Sequence, residues 1–83
     1  MKNTLLTYFD LRKCDTKSDY FLYITLHNLK FKTIKRIEDW IIKNLEYRYY
    51  LYDELMDDSL HKITLGFEIE KELTIFIISC PYI

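Results

Sequence analysis

The chain is predicted to fold as one α+β domain over residues 1–83, in the order β-β-α-β-β, with a four-stranded antiparallel sheet and one long amphipathic helix packed on one face. Three observations point there. Residues 4–13 and 20–31 alternate with the period of a strand, and 62–78 combine alternation with a β-prone apolar run. Residues 33–56 instead place apolar side chains three and four apart. A lone Gly66 and a lone Pro81 leave little punctuation between these stretches.

Thr4 to Lys13 sets Leu5, Thr7, Phe9 and Leu11 on one side and Leu6, Tyr8, Asp10 and Arg12 on the other, as a strand does. The polar run from Cys14 to Asp19 reads as a loop. Tyr20 to Phe31 resumes alternation with Tyr20, Leu22, Ile24 and Leu26 on one face, so the first two strands read as a hairpin.

From Thr33, the expected N-cap, Ile34, Ile37, Ile41, Leu45, Tyr52 and Met56 fall within one arc of a helical wheel. Unbroken, that helix would be about 39 Å long at 1.5 Å per residue, so a break after Tyr47 is expected. Asp53 to Leu60 has no glycine stop. Ile63, Leu65, Phe67 and Ile69 then alternate with Lys62, Thr64, Gly66 and Glu68. After a tight turn at Lys71-Glu72, Leu73 to Ile78 reads as a last strand. It is apolar on both faces, which suits a central or covered position.

Composition narrows the class. Apolar residues make up 49% of the chain and aromatics 17%, too many for a disordered segment. A domain this small needs dense packing, a staple or a partner to be stable. Cys14 and Cys80 lie far apart with no CxxC pair and no Cys/His zinc spacing, so free thiols are expected, with no metal and no cofactor. MKNTLLTYFD lacks an apolar leader core, and no run reaches membrane-span length, which leads to an expected cytoplasmic location and no membrane partner. The Lys-, Ile- and Tyr-rich, alanine-free composition hints at an AT-rich genome, and a compact, motif-free chain of that kind fits a viral, phage or mobile-element protein, the cytoplasm being the host's if the source is viral. The net charge of −1 offers no overall attraction to phosphate.

Function is read from surplus surface. Beside the main helical stripe, Trp40, Tyr47 and Leu51 form a second one, which with Tyr50 is the candidate aromatic patch for a protein partner. Asp53, Glu54, Asp57 and Asp58 would be its acidic edge. Lys30, Lys32, Lys35 and Arg36 stand at the expected helix start and the acids at its end, against the helix dipole. Pairing two copies about a two-fold axis would match basic to acidic ends, so a homodimer is expected. The acidic cluster lacks the glycine and alternating ligands of a calcium loop.

Two other classes compete. A sheet face bearing Tyr8, Phe21, Tyr23 and Phe76, near Arg12, His27 and Lys62, has the outline of a stacking platform for single-stranded nucleic acid. Asp10, Glu68 and Glu70 on or near that face would repel phosphate. For catalysis, His27, His61, Cys14 and Cys80 are the candidates, with no local motif around any of them. The expectation is therefore a non-catalytic interaction module that blocks a partner's surface, with inhibition of a host defence complex as one setting.

Overall fold

A computed structural model describes residues 12–83, and the strand expected over Thr4 to Lys13 lies almost wholly outside them. The described residues form an α+β fold built on a four-stranded sheet. Its strands are β1 (Lys13–Cys14), β2 (Leu22–Leu29), β3 (Tyr49–Leu55) and β4 (His61–Phe67), in the order β1-β3-β4-β2. Helix α1 (Phe31–Asn44) packs on one face, and helix α2 (Glu70–Ser79) follows β4.

The sheet is mixed. β2 and β3 each run antiparallel to β4, whereas β1 runs parallel to β3. The first two strands are therefore not the expected hairpin. They occupy opposite edges, and residues 15–21 carry the chain from one edge to the other.

α1 forms because Ile34, Ile37 and Ile41 recur at three- and four-residue spacing, and all three are buried. It begins two residues before the expected cap. Lys30 holds the N-cap position without a side-chain bond, and the Thr33 N–H donates to the Lys30 carbonyl from inside the first turn. It ends at Asn44, where several groups fix the exit. The Arg12 guanidinium donates to the carbonyls of Leu45 and Ile42, the latter at 3.0 Å, placing a cation at the negative end of the helix. One turn on, the buried carboxylate of Glu72 accepts the N–H groups of Glu46 at 2.7 Å and Tyr47 at 3.2 Å.

The expected extension of the helix to Met56 is thus corrected. Residues 49–55 alternate across the sheet instead, and the β-prone Tyr49-Tyr50-Leu51-Tyr52 supplies the strand. A 3₁₀ turn at Asp57–Ser59 then closes the β3–β4 hairpin, with the Met56 N–H donating to the Leu60 carbonyl at 2.8 Å. Asp58 and Ser59 take positive φ of 61° and 62° there. Asp tolerates that region better than most residues.

The last element is corrected as well. Leu73 to Ile78 belongs to α2, not to a strand. Glu72, Phe76 and Cys80, four apart, are buried on one side of the α2 segment. Glu70 and Glu72 in its first turn favour the positive helix end.

The core gathers Ile34, Ile37 and Ile41 from α1, Tyr49 from β3, Ile63, Leu65 and Phe67 from β4, and Phe76 with Cys80. Phe67 and Phe76 meet with ring centroids 5.2 Å apart. Each such fully buried aliphatic or phenyl side chain contributes about 1.5–3 kcal/mol. The register places Tyr23, Gly66 and Tyr50 side by side across β2, β4 and β3, on the face turned away from that core. Thr25, Thr64 and Tyr52 form the next row.

Candidate interaction surface

The structure disperses the aromatic patch expected on one helix. Trp40 stays on α1 but is half-buried, its ring edge-on to Phe76 at 5.9 Å. Tyr47 lies in the connection after α1 and is 49% exposed. Tyr50 and Leu51 are neighbours on β3 and so point to opposite faces: Tyr50 meets Tyr23 edge-on at 6.0 Å, while Leu51 packs against the core. The patch fails because the second stripe was drawn on a helix that stops at Asn44.

The acidic edge divides in the same way. Asp53 bonds His61, Glu54 lies 3.7 Å from Lys62 across the hairpin, and Asp57 and Asp58 sit exposed in the 3₁₀ turn. None of these acids is on α1, so pairing of two copies through oppositely charged helix ends loses its geometric basis.

The stacking platform is corrected too. Phe21 is buried, and Phe76 lies on α2 in the core. Tyr23 is on the outer face, but its ring is engaged. Its hydroxyl donates to the Ser18 carbonyl at 2.5 Å and accepts the Ser18 N–H at 2.8 Å, and Lys17 Nζ sits 4.8 Å from its centroid. Tyr8 lies outside the described residues. On the same face Glu54 offsets Lys62, at 3.7 Å.

Among the described residues, His61 is the catalytic candidate that meets an acid. Its Nδ1 is 2.6 Å from Asp53 Oδ1, and the Phe31 ring lies 6.0 Å from the imidazole. A carboxylate orienting a histidine is one half of a catalytic arrangement, but among the described residues no hydroxyl or thiol is bonded to this imidazole. The pair instead ties β3 to β4 near the hairpin end. His27 is exposed beside a bulge in β2, Cys14 is half-buried, and Cys80 is buried, which pushes its thiol pKa up. Both cysteines are free. Among the described residues no three His, Cys, Asp or Glu side chains gather as metal ligands, and no helix is long and apolar enough to cross a membrane.

Sequence reasoning missed the outward side of α2. Phe76 is fully buried, but Ile77 is 50% and Ile78 76% exposed, and Tyr82 and Ile83 beyond the helix are also exposed. Read as a central strand, this run had both faces accounted for. Read as a helix, it packs one side against the core and leaves Ile77 and Ile78 on the other, beside Thr74. Elsewhere on the surface Arg48 pairs with Glu68 at 2.8 Å and Lys13 with Glu38 at 2.7 Å. No family model matches this chain, and no curated protein or solved structure is significantly similar to it.

Proposed function

We propose that the chain is a protein-interaction module that acts by occupying an apolar surface of a partner, and that its docking face is the outward side of α2 with the residues after it. The observation that carries this reading is the exposure of Ile77, Ile78, Tyr82 and Ile83 within one short run. Water-exposed isoleucines on a helix oppose folding economy, since each forgoes about 1.5–3 kcal/mol that burial would provide. Clustered apolar exposure of this kind marks interaction sites on soluble domains. A helix whose free side offers neighbouring apolar anchors suits a hydrophobic groove in the partner. Such binding needs no catalytic group, and occlusion of the partner's surface is its direct consequence. The fold carries no feature that selects a viral source or a defence complex as the target.

The test is affinity capture with the full chain and with Ile77→Asp/Ile78→Asp, after circular dichroism establishes that the variant is folded. A partner held by the wild type and lost from the variant supports the docking face. Equal recovery by both proteins rules it out.

A further inference from the structure

We infer that the chain forms a two-fold homodimer by antiparallel pairing of β2 with β2 of a second copy, centred on Ile24. This surface is separate from α2 and stands without the docking reading above. Among the described residues β2 is an edge of the sheet, and none of them pairs with the outer side of its backbone. Exposed sheet edges are templates for another strand unless they are short, charged, proline-bearing or bulged.

The two edges differ in this respect. β1 is two residues long, includes Lys13 and runs straight into Asp15. β2 offers Leu22-Tyr23-Ile24-Thr25-Leu26 with no charge and no proline, and stays in register with β4 until the bulge between Leu26 and Leu29. The bulge, with Asn28 at φ 58°, ends the pairable stretch at Leu26.

The stretch is complementary to itself. Centred on Ile24, antiparallel pairing sets Leu22 opposite Leu26, Ile24 opposite Ile24 and Tyr23 opposite Thr25. These are apolar and aromatic–β-branched pairs of the kind that stabilise sheets. All five residues are used, and the core faces of the two sheets join because residues opposite each other share a face. Leu22, 39% exposed in the monomer, would gain a neighbour. Charge agrees at the ends. Asp19 precedes the strand and Lys30 and Lys32 follow it, so the antiparallel arrangement brings the acidic end of one copy toward the basic end of the other. The nearby Lys17 is already placed over its own Tyr23 ring.

Sedimentation velocity over a concentration series, together with backbone hydrogen exchange at low and high concentration, tests the pairing. The expected result is a dimer whose amides in residues 22–26 exchange more slowly as concentration rises. Thr25→Lys, at an exposed position, should raise the concentration of half-association at least tenfold while preserving the circular dichroism spectrum. A monomer at every concentration overturns the inference. So does a dimer whose new protection falls in residues 74–83 and not in β2, or one that Thr25→Lys leaves unchanged.

Discussion

The ring of Tyr23 occupies the space where a β-carbon on Gly66 would lie: an alanine Cβ there would come 2.4 Å from Tyr23 Cε1. The ring cannot readily withdraw, because its hydroxyl is bonded to Ser18 and its flank meets Tyr50. Glycine at 66 is thus required by the cross-strand tyrosine and not by backbone conformation. Gly66→Ala should cost about 1–3 kcal/mol in chemical denaturation, the usual penalty for overpacking. In a Tyr23→Ala background the same change should cost little, and additive penalties would contradict the contact.

Glu72 ties the start of α2 to the exit of α1 through two backbone N–H groups. Glu72→Ala removes the acceptor and should destabilise by about 1–3 kcal/mol. Glu72→Gln keeps one acceptor oxygen and should cost less. Equal stability of wild type and Glu72→Ala in urea would show that the exit from α1 is held by other bonds.

Phe76 and Ile78 separate a helix from a strand over this segment. Phe76→Ala should cost about 3–5 kcal/mol, as for a buried aromatic. Ile78→Ala should change stability by less than about 0.5 kcal/mol, because the side chain is mostly in water. Large losses at both positions would mean that both faces are buried, as in a central strand.

Titration gives two signs. Hydrogen bonds from the Arg48 side chain and then its backbone N–H, with a smaller part from its charge, hold the Glu68 carboxyl below the ordinary carboxylate range. A lowered pKa contributes stability above the ordinary value that is lost as pH falls through the folded one. Glu68→Gln should therefore slightly flatten the acid limb of the stability curve, by a small amount because the pair is exposed. For Cys80, burial pushes the thiol up, so its contribution is present below the ordinary thiol range and lost as pH rises through the folded value. Iodoacetamide at mildly alkaline pH should modify Cys14 well before Cys80, as read by peptide mass spectrometry.

Local periodicity made the α1 core face, β2 and β4 legible, because Ile34, Ile37 and Ile41 repeat as a helix and Ile63, Leu65 and Phe67 as a strand. It was not enough where two periods fit at once. Leu45, Tyr52 and Met56 continue the helical arc of Ile41, yet the tyrosine-rich run from Tyr49 is the better guide to its conformation. Leu73 to Ile78 is apolar except for Thr74 and has no clear period to read. Its surest helical sign is the pair Glu70 and Glu72 ahead of it, which resembles the polar residues of a turn. These two reversals explain why the candidate surface moved. Trp40, Tyr47, Tyr50 and Leu51 were joined by a helix that does not extend that far, while α2 exposes residues a central strand would hide.

The most direct measurement is site-specific photocrosslinking in the cells that make the protein, with a photoreactive side chain placed at Ile78 and, separately, at Asp57 in the exposed β3–β4 hairpin turn. The docking account predicts a discrete adduct to another protein from position 78 and none from position 57. The same adduct from both positions, or none from position 78 with the protein folded, would contradict it.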